Sequence, residues 1–245
     1  MLARIGLVLL LLLAWLVVLL PMKAVALMAG GAPRLGYSDV FGTVWDSRVY
    51  GLMLQGQPVR ETAIGVRPAA LFSGRLAADI RLEDPHVSGA GRVSLAPGSR
   101  WTLEEASLSA TLDRLGLGEL PGLDPQERIF FRVVRLELEA GRCREAVGTA
   151  RSGALVSLAS SYGQVGPALV GELSCRGEAL VLSFSGEEAA LSLSGEAVLR
   201  ADGYDWHIDA QTRDAALADI LVLAGFTRTA DGWQAEGSAD HVARD

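Results

Sequence analysis

At 245 residues, half of them hydrophobic, the chain is long enough to bury a core without leaning on disulfides or metals. Its net charge of −7 excludes the basic face that a nucleic-acid binder needs to displace counterions from phosphates. Arg4 and Lys23 lie in or beside the N-terminal apolar run, so the remainder is more acidic still.

Residues 1–4 form a short tip carrying Arg4. Ile5 to Met22, IGLVLLLLLAWLVVLLPM, holds no charge. As a helix it would extend about 27 Å, close to the hydrocarbon thickness of a bilayer. A single transmembrane signal anchor over 5–22 is the expectation. A cleavable signal peptide also begins with a short basic tip, but this apolar run exceeds the usual ~7–15-residue block. The nearest small-residue cleavage pattern, Ala24-Val25-Ala26, follows Lys23. Loop charge is nearly balanced between Arg4 on one side and Lys23 with Arg34 on the other. The cysteine pair and the strand-rich body suit an oxidising exterior compartment, so the N-terminus is expected inside and the body outside. Gly30, Gly31 and Pro33 mark residues 23–36 as a juxtamembrane linker.

From 37 to 245 the hydrophobic period is two. In GYDWHIDA, Tyr204, Trp206, Ile208 and Ala210 share one face, while Asp205, His207 and Asp209 share the other, as in a strand buried on one side. RLELEA, ALVLSFSG and ALSLSGEAVLR repeat the pattern, with glycines between runs at hairpin spacing. Two segments depart from it. TLDRLGLGELPG, 111–122, suggests a short helix or turn with Asp113 near its start. TRDAALADILVLAGF offers Thr212 or Asp214 as N-cap, apolar positions at 217, 220, 221 and 224, and Gly225 as the stop. The fold class is therefore mainly β: a transmembrane helix followed by a twisted antiparallel sheet of hairpins with one or two short helices.

Chemistry-bearing motifs are missing. His86, His207 and His241 are far apart, with no metal-ligand spacing, and there is no G-x-S-x-G or phosphate loop. Lys23 is the only lysine. No catalytic, cofactor-binding or metal-binding residue is assigned, and the chain does not read as an enzyme. Asp205, His207 and Asp209 are weighed as the ordinary solvated side of a strand. Arg128, Arg132, Arg135, Arg142 and Arg144 form the densest basic cluster, interleaved with Glu127, Glu137, Glu139 and Glu145; a charge-balanced strand face and an acidic partner's docking strip both fit. Cys143 and Cys175 invite a disulfide in an exported domain, against the alternative of two buried thiols.

An apolar leader, then GTVWDSRVYGL, then GVRPAALFSGRLAADIRL resembles the type II secretion system protein N family, an inner-membrane component of the bacterial general secretion pathway. Gly42, Thr43, Val44 and Trp45 match its glycine, small, aliphatic, tryptophan pattern. Pro68, Leu71, Phe72, Gly74 and Leu76 match a later proline-to-glycine block. The closing stretch with Gly232, Trp233 and Gly237 resembles the family's second half. The resemblance implies a protein anchored in the inner membrane by one pass, contacting membrane lipid through that anchor, with its bulk in the periplasm. The implied partners are other secretion components, with no nucleic acid and no cofactor, in a non-enzymatic assembly or scaffolding role. An AsmA-like lipid-handling or envelope-biogenesis module is the alternative. Trp45 is expected in the first strand, with Gly42 and Gly51 allowing turns at its two ends.

Overall fold

The computed structural model describes residues 15, 19–29, 36–54, 57–115, 123–161, 163–200 and 203–240. Fourteen strands form a single sheet: β1 (Asp39–Thr43), β2 (Asp46–Leu54), β3 (Gln57–Val66), β4 (Leu76–Glu83), β5 (Val87–Ala96), β6 (Arg100–Thr111), β7 (Arg128–Glu139), β8 (Arg142–Ser152), β9 (Leu169–Arg176), β10 (Ala179–Glu188), β11 (Leu191–Leu199), β12 (Gly203–Thr212), β13 (Thr227–Arg228) and β14 (Trp233–Asp240). Each strand pairs antiparallel with the next as far as β12. There β14 takes the following place and the two-residue β13 becomes the edge.

Among the described residues, four helices lie between or before strands: α1 (Met22–Ala29), α2 (Pro68–Leu71), α3 (Ala154–Ser161) and α4 (Ala215–Leu223). The expectation of one or two helices is too low for a physical reason. Pro68 occupies the first turn of α2, where a missing N–H costs nothing, so a residue that reads as a breaker starts a helix. The apolar ALVSLASS of α3 carries no clear helical period; the Ser152 hydroxyl accepts from the Ala154 N–H at 3.2 Å as it begins. The helix anticipated late in the chain forms as α4. Asp214 is its N-cap, accepting from the N–H groups of Ala216 and Leu217, and Gly225 follows at φ +87°. Of the short helix or turn expected over 111–122, the described part is a turn: Thr111 ends β6, 112–115 form the turn, and 116–122 lie outside the described residues.

Most of the anchor expected over 5–22 also lies outside the described residues. No helix among those described is long and apolar enough to cross a membrane. Part of the expected 23–36 linker is helical, as α1. The chain meets the sheet just before it: Pro21 bridges Thr43, and the Val44 N–H donates to the Leu20 carbonyl at 3.0 Å.

The strand register sorts side chains into two faces. One row of directly opposed residues runs Trp206, Ala197, Leu182, Leu173, Gly148, Val133 and Ala106, apolar across seven strands. The adjacent row, one residue along each strand near β12 and therefore on the other face, runs His207, Glu196, Ser183, Glu172, Thr149, Arg132 and Ser107. Two clusters of buried residues lie toward either end of the strand order. Val59, Val87 and Ala110 pack with Leu54, Leu82 and Leu108. Leu193, Ala210 and Leu221 pack with Leu155 of α3, Phe184, Ile208, Phe226 and Trp233 among others, so α3 and α4 contribute cover to the apolar face.

Candidate functional site

The polar face is an ion-paired surface. Arg135 on β7 is its hub, with guanidinium nitrogens 2.7 Å from Glu104, 3.0 Å from Glu137 and 2.8 Å from Glu145, contacts that span β6, β7 and β8. These partners, the Glu137 hydrogen bond foremost, hold the Arg135 proton more tightly than usual. Arg100 and Arg144 flank Glu139 at 3.1 and 2.8 Å and pull its carboxyl below the ordinary range, the Arg100 hydrogen bond first. Arg176 grips both oxygens of Glu196 at 2.8 and 2.7 Å across β9 to β11; that hydrogen bonding lowers Glu196 and raises Arg176. Most of these side chains are about a third or more open to water, Glu137 being the most covered. The network fixes side-chain geometry on the face more than it adds stability.

The five clustered arginines do not act together. Arg128 is drawn into hydrogen bonds with Ser109, Ser88 and the Pro85 carbonyl. Arg135 and Arg144 join the glutamate network, and Arg142 pairs with Glu178 at 2.8 Å. Arg132 and Arg151, without an ion pair among the described residues, line a depression of ≈ 690 Å³ with Ser88, Ser107, Ser109 and Thr149. His207 meets Asp209 at 3.0 Å and Gln234 at 3.1 Å on the half-exposed face. Asp205 instead pairs with Arg200, so the three side chains do not converge on one point. Among the described residues no group of three or more His, Cys, Asp or Glu is placed to hold a metal ion.

Cys143 and Cys175 are disulfide-bonded, with Cα atoms 5.6 Å apart. Pairing between β8 and β9 covers 148–152 and 169–173, so the bond joins the two strands beyond their hydrogen-bonded ladder.

The residues singled out by the resemblance have structural work. Trp45 is not in a strand: with Val44 it forms the turn between β1 and β2, half-buried. Gly42 permits that turn at φ +92°, where a Cβ would stand 2.3 Å from the Asp46 carbonyl oxygen. Gly51 lies inside β2 rather than at a turn. Thr43 closes β1 against Asp46, Pro68 opens α2 and Gly74 follows its turn. Gly232 precedes β14. Trp233 pairs with Ala210, packs in the second core and lies beneath the Arg228 guanidinium, 5.8 Å from the ring centre. Gly237 faces Trp206.

The charge-balanced strand face anticipated for Arg135, Arg144, Glu137, Glu139 and Glu145 is what forms; the part missed is Glu104, which joins the hub across the β6–β7 pairing. Glu105 sits at φ +51° where β6 carries an extra residue against β5, and β7 shifts against β8 between Val133 and Arg135.

With the faces and motif residues in place, comparison with known families is decisive. The type II secretion system (T2SS), protein N, family matches residues 33–235. The chain belongs to that family. It is a component of type II secretion, in a family of secretion-machinery parts rather than enzymes. No curated protein and no solved structure matches it.

Proposed function

We propose that the protein is a non-enzymatic subunit held in the bacterial inner membrane by its N-terminal apolar run. Its sheet stands in the periplasm and assists export of folded proteins across the outer membrane by positioning other secretion components. One observation supports the reading above the rest: the polar face carries exposed ion pairs that cross neighbouring strands from β6 to β8 and from β9 to β11, a surface suited to broad protein contact. Anchoring adds effective concentration, which strengthens weak contacts within one machine. Deletion is expected to leave inner-membrane export intact while secreted proteins accumulate in the periplasm. Photo-crosslinkers at Ser107 and Arg132 are expected to capture another secretion subunit. Unchanged release on deletion, with no subunit captured, overturns the proposal.

A second reading, lipid handling of the AsmA-like kind, draws on the opposite face. Trp101, Leu199 and Tyr204 belong to its apolar rows yet stay substantially exposed. Lipid extractable from the purified full chain favours this reading; its absence favours the scaffold.

A further inference from the structure

We propose that α2 and the turn after it rest in the interface of the bilayer that holds the N-terminal run, with Phe72 inserted among the acyl chains. This rests on the anchored reading above. Phe72 is 95% exposed, beside Leu71 at 47% and Leu76 at 49%, so the protein leaves this apolar tip uncovered. Arg67 and Arg75 flank it. Arg67 reaches Asp79 only at 3.5 Å, and Arg75 has no ion pair among the described residues. Long basic side chains beside an aromatic tip suit an anionic lipid surface, stems in the apolar zone and guanidiniums among headgroups.

Position supplies the second argument. The chain enters the sheet where the Val44 N–H donates to the Leu20 carbonyl. The Val66 N–H donates to the carbonyl of that same Val44 at 3.1 Å, and α2 begins two residues later. Three strand spacings, about 14 Å, separate β1 from β4 on its far side.

Length supplies the third. Ile5 to Leu20 is uncharged. A helix of that length extends about 24 Å, less than the ~30 Å hydrocarbon core. A membrane anchor that ends at Leu20 would place the Leu20 to Val44 contact at the lipid interface rather than out in water, and would carry the neighbouring α2 down with it. Val222 and Leu223 on α4 are exposed and apolar too, Leu223 at 80%. They follow β12, eight spacings or about 38 Å along the sheet from β4, which makes them a chemically matched control.

The test uses the full chain reconstituted into phosphatidylcholine and phosphatidylglycerol vesicles. An environment-sensitive fluorophore is attached to a single introduced cysteine, Phe72→Cys or Leu223→Cys, the native pair being disulfide-bonded. The chain is expected to float with the vesicles, with the label at 72 blue-shifted and quenched by nitroxide-bearing lipid several-fold more than at 223. A floating chain whose label at 72 is quenched no more than at 223 overturns the proposal and leaves the anchor standing. A chain that does not float overturns both.

Discussion

Gly237 lies directly across the sheet from Trp206, and a Cβ at that position would stand 2.7 Å from the indole. The glycine is there to make room: the indole of β12 lies over the neighbouring strand β14, where a side chain would stand. Gly237→Ala is expected to displace the indole or the strand at a cost of about 1–3 kcal/mol. Thermal unfolding followed by circular dichroism checks it, and an unchanged midpoint contradicts the packing account.

Removing the bond between Cys143 and Cys175, with serine at both positions, is expected to destabilise the fold. The loop closed spans a sequence separation of 32. In the chain-entropy model that constraint is worth about 3–4 kcal/mol. Because the bond ties β8 to β9 where their ladder has ended, loss is expected to raise amide exchange first at 143–147 and 174–176. Peptide mass spectrometry of the isolated protein without reduction must also show the two cysteines joined.

Acid is expected to weaken the sheet. Glu139 and Glu196 are held below their ordinary range by arginine partners. Burial alone would raise Asp84, but the N–H groups of His86 and Arg60 outweigh it and lower its pKa. A carboxyl lowered in the folded state contributes stability above its unfolded value, about pH 4. That contribution drains away as the pH falls through the lowered folded values. Denaturation midpoints are expected to be flat near neutrality and to fall below about pH 4.5. A midpoint that rises on acidification contradicts the sign.

Alternation along single strands made much of the fold legible before any coordinates. Tyr204, Trp206, Ile208 and Ala210 do share a face, and Asp214 with Gly225 does delimit a helix. Both signals are local, fixed by neighbouring residues. The charge balance around Arg135, Arg144, Glu137, Glu139 and Glu145 was legible too; that Glu104 joins them was not, because it depends on which positions of β6 and β7 stand opposite each other. The placement of Trp45 failed for a related reason. A β-branched pair before it reads as strand, while Gly42 at positive φ has already bent the chain into a turn.

Adjacent residues on β12 supply the sharpest contrast between the faces. The His207 Nε2 atom lies 3.0 Å from the Asp209 carboxylate and 3.1 Å from the Gln234 amide nitrogen on the half-exposed polar side, while Trp206 faces Ala197 and Gly237 on the apolar side. His207→Ala removes contacts that water replaces, so a stability change within about 0.5 kcal/mol is expected. Since its neighbours form no converging site, secretion by a strain carrying that variant is expected to match the unmutated one. Trp206→Ala removes a large ring from a packed row and is expected to cost about 2–4 kcal/mol, with lower protein level and correspondingly weaker secretion. Equal-abundance comparison separates the two effects: normalised for the amount of folded protein, both variants should secrete alike if the sheet acts as a scaffold. Loss of secretion in His207→Ala at full abundance would instead give His207 itself a role on the polar face, as a partner contact or a reacting group.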